Sequence, residues 1–167
     1  ECEDIHIIKE NTILIGQFKA RVDSEMLENL KNSGIKVFSL DLLPRSSIAQ
    51  SMDVLSSLSS LSGYKAVVVA ANEFSGYLPM MTTSAGTMPP AKILILGAGV
   101  AGLQAIAAAK RLGSVVNAFD VRASVKEEVE SLGAKFIEVE GNIDDKSAGG
   151  YAVKQSEDYI RKQKELI

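Results

Sequence analysis

Gly97, Gly99 and Gly102 stand in the spacing G-x-G-x-x-G within KILILGAGVAGLQAIAAAKRLGSVVNAFD, residues 92–120, a stretch that ends on Asp120. A glycine at the first of these positions permits a tight turn, and one at the second lets a pyrophosphate approach the backbone. One at the third lets a helix lie close against the preceding strand. Unpaired N–H groups from about Ala98 to Ala101 would then face a phosphate with the positive end of a helix dipole behind them, so that no side-chain cation is required. Asp120, about twenty residues beyond the glycines, falls where a carboxylate accepts hydrogen bonds from both ribose hydroxyls of an adenosine. It would repel a 2′-phosphate, which favours NAD(H) over NADP(H); Arg122 pulls the other way, since a neighbouring arginine can accommodate that phosphate.

A bare glycine spacing also fits a loop of no consequence, and the flanking elements decide between the two. The apolar run 93–96 reads as a strand, and the residues after the glycines have helical periodicity to about Leu112, where Gly113 stops them. Residues 115–119 read as the next buried strand, with Asp120 at its C-terminal end. Ser124 and Glu127 then form a capping box for a helix running to Leu132, Gly133 ends it, and a strand follows over 135–139. Strand, turn, helix, strand and terminal acid are in register for a nucleotide site. Only three strands of such a domain are present, where the full fold has two mononucleotide halves, so the chain reads as a fragment.

Upstream, residues 12–17 read as a short strand, Asp23 or Ser24 caps a helix with Met26, Leu27 and Leu30 on its apolar face, and Gly34 ends it before a strand over 35–40. Parallel pairing with a right-handed crossover is expected of this β-α-β unit. Pro44 breaks the pattern. From Ser46 or Ser47 the spacing predicts a helix with Ile48, Met52, Leu55, Leu58 and Leu61 on one apolar face. Gln50, Asp53 and Ser56 fall three apart on the other side, which by itself describes a solvated polar face. Residues 64–71 fit a helix end or a strand equally, and 72–90, with Gly76, Pro79, Gly86, Pro89 and Pro90, read as hairpin or linker.

Composition adds limits. With 46% apolar and 23% charged residues and a net charge of −3, the chain is an ordinary globular one, without the basic footprint of a nucleic-acid binder. The single Cys2 excludes an internal disulfide, and the single His6, without nearby partners, makes no metal site. Residues 93–109 hold only Gln104 as a polar side chain, yet the glycine spacing argues for strand plus helix rather than a membrane span. Glu1, Glu3 and Asp4 have the wrong charge for a signal peptide.

Taken together, PRSSIAQSMDVLSSLSSLSGYKAV, AANEFSGYLPMMTTSAGTMPPAK, GAGVAGLQAIAAAKRLG with its DVR, and SLGAKFIEV resemble the soluble NAD(H)-binding component of proton-translocating nicotinamide nucleotide transhydrogenase over nearly the whole chain. The alanine dehydrogenase relatives share the glycine region but differ between Arg45 and Tyr64. The resemblance implies an α/β fold with a Rossmann-like parallel sheet, here incomplete, over 64–167 and part of a second α/β domain over 1–63. It also implies a homodimer, with Phe74, Tyr77, Leu78, Met80 and Met81 either against a second subunit or in a local core. Position by position it places Arg45, Ser46, Ser47 and Gln50 beside the nicotinamide half of NAD(H), with Gln50 bridging toward NADP(H) on a partner component. Asp53 and Ser56 complete that group. Gly97, Ala98, Gly99, Val100 and Gly102 line the pyrophosphate turn, Asp120, Val121 and Arg122 the ribose end, and Gln163 a further contact. A loop carrying Gly150 and Tyr151 would close over nucleotide, although Ala152, Val153, Lys154 and Gln155 depart there from the family's usual Ala-Lys-Glu-Met.

The activity so implied is direct hydride transfer from NADH on this component to NADP⁺ on an NADP(H)-binding component, coupled to proton movement through a membrane-spanning component. No metal and no general acid or base is needed, and Arg45, Gln50, Asp53 and Ser56 would hold the transfer geometry. The complex would lie on the cytoplasmic face of a bacterial membrane or the matrix face of the mitochondrial inner membrane. The alternatives are an alanine dehydrogenase-like NAD-dependent oxidoreductase and an isolated noncatalytic NAD-binding fragment.

Overall fold

The computed structural model describes residues 7–20, 22–44, 46–139, 141 and 155–167. Two compact units emerge, Glu1–Ser57 and Leu58–Ile167, and each is considered by itself.

In the first unit β1 (Ile13–Gly16) pairs in parallel with β2 (Lys36–Ser39), in a register running from Ile13↔Lys36 to Gly16↔Ser39. Between them lies α1 (Ser24–Asn32), capped by Asp23, whose carboxylate accepts the Met26 N–H at 3.0 Å. Gly34 takes φ +68°, the left-handed conformation that lets the chain leave the helix. The β-α-β reading therefore holds. Asp41 fastens the segment after β1, accepting the N–H groups of Phe18 at 3.1 Å and Ala20 at 2.8 Å, and the Ser39 hydroxyl. The Ser39 bond, foremost, and those two N–H groups outweigh desolvation and pull its carboxyl down to about 2.

The expected continuous helix from Ser46 or Ser47 does not form. A 3-10 turn covers Ala49–Met52, the backbone leaves helical geometry at Asp53 (φ −77°, ψ 88°), and α2 runs over Val54–Glu73. Asp53 is the reason: its Oδ1 accepts the N–H groups of Leu55 and Ser56, each at 3.0 Å, and its Oδ2 accepts the Ser56 hydroxyl at 2.6 Å. A carboxylate that satisfies two donors of a first turn starts a new helix rather than continuing an old one. The predicted apolar stripe is not a core face either, since Ile48, Met52, Leu55, Leu58 and Leu61 are all exposed. The helix buries Gly63 and Val67 instead. A Cβ at Gly63 would lie 2.0 Å from the Ala101 carbonyl oxygen, so the missing side chain is what admits the neighbouring helix. Residues 64–71, open between two readings, are interior turns of α2. By length and composition alone, among the described residues, α2 could also cross a membrane.

The second unit continues with a hairpin, β3 (Met81–Thr83) antiparallel to β4 (Gly86–Met88), in the region read as hairpin or linker. Its sheet is β5 (Lys92–Leu96), β6 (Val115–Phe119) and β7 (Lys135–Ile137), parallel and in that order. The connecting helices are α3 (Val100–Arg111) and α4 (Lys126–Ser131). Ala105, Ile106, Ala108 and Ala109 of α3 pack with Val116, Ala118, Val129 and Phe136. The run of alanines keeps α3 close to the sheet. The expected capping box does not start α4: a 3-10 turn, Ala123–Val125, intervenes and the cap position falls on Val125, without a side-chain bond. The expected strand 135–139 ends at Ile137, and Val139 packs with Phe119 and Tyr159, the latter on α5 (Glu157–Leu166).

Candidate functional site

The turn after β5 is built as the three glycines require. Gly97 has φ +98°, which only glycine adopts at little cost, and its N–H donates to the Phe119 carbonyl at 2.7 Å, carrying the β5–β6 pairing one step past the strand. Gly99 is the cap of α3, and a Cβ placed on it would meet nothing within 4 Å. At Gly102 a Cβ would stand 1.8 Å from the Gly97 carbonyl oxygen. The first glycine thus serves the turn, the second leaves open space before the helix, and the third permits close packing. The N–H groups of Val100, Ala101 and Gly102 begin a helix and have no acceptor within it, so they and the dipole behind them suit a phosphate oxygen.

Ala98 departs from that expectation. Its N–H is not unpaired but donates to Oδ2 of Asp120 at 2.7 Å, which joins the glycine turn directly to the end of β6. Asp120 is 9% exposed, and among the described residues its other hydrogen-bond partners come from Arg122. The Arg122 N–H donates to Oδ1 at 2.8 Å, Nε to Oδ1 at 3.0 Å, and NH2 to Oδ2 at 2.9 Å. Burial by itself pushes the Asp120 carboxyl up, but the guanidinium hydrogen bonds, the N–H groups of Ala98 and Arg122, and the Arg122 charge outweigh it and hold the group below the usual carboxylate range. The acid is therefore ionised at neutral pH, as a ribose acceptor must be.

Sequence reasoning missed the floor of this end of the sheet. Tyr159, 2% exposed, packs with Phe119 and Val139, against which Val121 and Ile137 also lie. Burial, with the Asp120 charge behind it, raises the Tyr159 phenol above its ordinary value. Gln163, partly buried, is one helical turn beyond Tyr159, so the anchored face of α5 carries it on the same side. The i, i+4 spacing of Tyr159 and Gln163 was the available signal.

In the first unit Ser46, Ser47 and Gln50 are exposed and Asp53 and Ser56 partly buried. The Ser46 carbonyl accepts the Gln50 N–H at 3.0 Å and the Ser46 hydroxyl accepts the Ala49 N–H at 3.3 Å, which sets the 3-10 turn on which Gln50 rides. Arg45, Gly150 and Tyr151 lie outside the described residues, as do His6 and Cys2. Among the described residues no group of three or more His, Cys, Asp or Glu side chains could hold a metal ion.

A parallel sheet with a glycine turn opening α3 and a buried carboxylate closing β6 defines a Rossmann-type dinucleotide-binding domain. The family description alanine dehydrogenase/PNT, C-terminal domain, matches residues 66–167, and the chain belongs to that family. It is 49% identical over 167 residues to an NAD(P) transhydrogenase alpha subunit of Rhodospirillum rubrum, covering 99% of this chain and 44% of the relative. Among solved structures it resembles the transhydrogenase of Sinorhizobium meliloti, with a TM-score of 0.79 at 50% identity, over 84% of this chain and 41% of that one. An L-alanine dehydrogenase shares the fold, with a TM-score of 0.64 at 22% identity over 81% of this chain and 39% of that one. The chain spans less than half the length of these proteins.

Proposed function

We propose that this chain is the NAD(H)-binding part of a proton-translocating transhydrogenase, from which hydride passes to NADP⁺ held on a partner component. The observation that supports it most is the bond between Ala98 N–H and Asp120, which sets a diphosphate-facing helix start and a ribose-facing carboxylate side by side. The open space before Gly99 fits a bound pyrophosphate. When bound, the dihydronicotinamide supplies the hydride, and no proton leaves the reacting carbon.

The chain's own residues position and exclude water. Val100, Ala101 and Gly102 N–H groups hold the diphosphate, Gly97 and Ala98 shape the turn, Asp120 and Val121 hold the adenosine ribose with Arg122 beside them, and Gln163 supports that end. Arg45, Ser46, Ser47 and Gln50 attend the nicotinamide, with Gln50 reaching toward NADP(H), while Gly150 and Tyr151 close over the nucleotide. Asp53 holds Ser56 through the cap of α2, so this pair fixes the 3-10 turn and helix start from which Gln50 projects. The division proposed between a first α/β domain and the NAD(H) domain falls after residue 63. The whole protein works as a homodimer with an NADP(H)-binding and a membrane-spanning component, on the cytoplasmic face in bacteria or the matrix face in mitochondria, and the membrane span belongs to that partner component, with α2 serving as a helix of this domain.

The intact protein mixed with the NADP(H)-binding component, NADPH and an oxidised NAD analogue should reduce the analogue. Absence of transfer with nucleotide binding intact leaves a noncatalytic NAD-binding module. Pyruvate- and ammonia-dependent oxidation of NADH without the second component indicates an alanine dehydrogenase-like oxidoreductase.

A further inference from the structure

In this structure both oxygens of Asp120 are already used. Oδ1 accepts the Arg122 N–H and Nε, Oδ2 accepts Ala98 N–H and Arg122 NH2, and the acid side chain is only 7% exposed. The guanidinium thus makes a two-point fork with the same two oxygens to which a 2′- and a 3′-hydroxyl would donate. The Ala98 and Arg122 N–H groups approach from the backbone and leave with neither a ribose nor a rotamer change. The Nε and NH2 contacts come from a side chain, 19% exposed, and a rotamer change alone would exchange them. A carboxylate holding two backbone donors and a guanidinium fork has no favourable site left for two further donors.

We infer that Arg122 is an internal stand-in for the nucleotide ribose and, once displaced, the determinant of how much 2′-phosphate the site tolerates. The inference rests on the nucleotide reading of this site. In the free protein the guanidinium neutralises the buried Asp120 carboxylate. Ribose binding exchanges the Nε and NH2 bonds for two hydroxyl bonds and leaves the arginine at the rim beside the 2′-position. Two effects of opposite sign follow. The fork competes with an unmodified ribose, so the arginine weakens adenosine nucleotides that lack a 2′-phosphate. The displaced cation attracts a 2′-phosphate, so the same arginine strengthens nucleotides that carry one and narrows the discrimination that Asp120 imposes. A residue serving only to hold the strand end would move both affinities in one direction.

The test is calorimetric titration of the intact protein, its Arg122→Ala variant and its Arg122→Gln variant with 5′-AMP, 2′-deoxy-5′-AMP and 2′,5′-ADP. In both variants 5′-AMP should bind several-fold more tightly, 2′,5′-ADP several-fold more weakly, and 2′-deoxy-5′-AMP should gain clearly less than 5′-AMP. Unchanged or weaker 5′-AMP binding overturns the inference, as does an equal gain for the deoxynucleotide or a parallel change in the two ribonucleotides. Arg122→Gln keeps part of the apolar stem but is too short to make the two-point fork and carries no charge, so a folding defect confined to Arg122→Ala leaves the comparison in force. Failure of the unaltered protein to bind 5′-AMP or NADH is a different result, and counts against the nucleotide site itself.

Discussion

Asp120 joins the turn to the strand end through Ala98 and offers the charge that a ribose would read in the proposed site. Its replacement by asparagine keeps the shape and removes the charge. Hydrogen bonds to a charged group contribute about 1.5–3 kcal/mol, so Asp120→Asn should weaken NADH binding by roughly 10- to 100-fold while weakening NADPH much less, as followed by nucleotide fluorescence. Its carboxyl is held below the ordinary value, so its stabilising effect is fully present above about pH 4 and is lost as the pH falls through the lowered folded value. Acid unfolding monitored by circular dichroism should therefore begin nearer neutrality for Asp120→Asn than for the unaltered protein but rise less steeply with acidity. The same depression keeps NADH affinity flat between pH 6 and 8; a titration step in that range would point to another group. The position of Asp120 was legible from its distance to the glycines. Its fork with Arg122 was not, because which partner a carboxylate chooses depends on a rotamer, and its bond to Ala98 depends on a turn that brings residues 22 apart into contact.

Among elements, β5, the glycine turn, α3 and β6 were legible because period and punctuation agree: alternating apolar residues stop at Gly97, and helical spacing stops at Gly113, which takes φ +87°. Where a side chain overrides periodicity, the pattern misleads. Asp53 interrupts an apolar 3-4 spacing that looks continuous, and α2 buries the face that carries Gly63 and Val67 while the face with its larger apolar residues stays exposed. Two glycine replacements separate packing from binding. Gly102→Ala forces a backbone shift, since its Cβ would be 1.8 Å from a carbonyl oxygen, and should cost about 3 kcal/mol of stability, seen as a lowered Tm. Gly99→Ala meets no atom and has φ −80°, so Tm should change little, while NADH affinity should fall at least about tenfold because the methyl would stand where the proposed site brings a phosphate to the backbone. Equal effects of the two substitutions would contradict the division of labour among the glycines.

At the scale of the molecule, the family and the Rossmann order β5-β6-β7 were legible from the sequence motifs. The exposure of apolar faces outside that sheet was not, since no local pattern says whether an apolar side chain finds its cover within the chain. Large apolar side chains remain exposed on β1, β2 and the first half of α2, including Ile13, Ile15, Phe38, Leu58 and Leu61. Faces of that kind need cover from outside the described residues, and the homodimer proposed for the whole protein should appear as twice the monomer mass of the intact protein in light scattering. The account as a whole depends on Asp120 selecting an unphosphorylated ribose beside the glycine turn. Titration of the intact protein with NADH and NADPH, followed by nucleotide fluorescence at neutral pH, tests that selection most directly. Binding of NADH at least about tenfold tighter than NADPH is the predicted result, and equal affinities would contradict it.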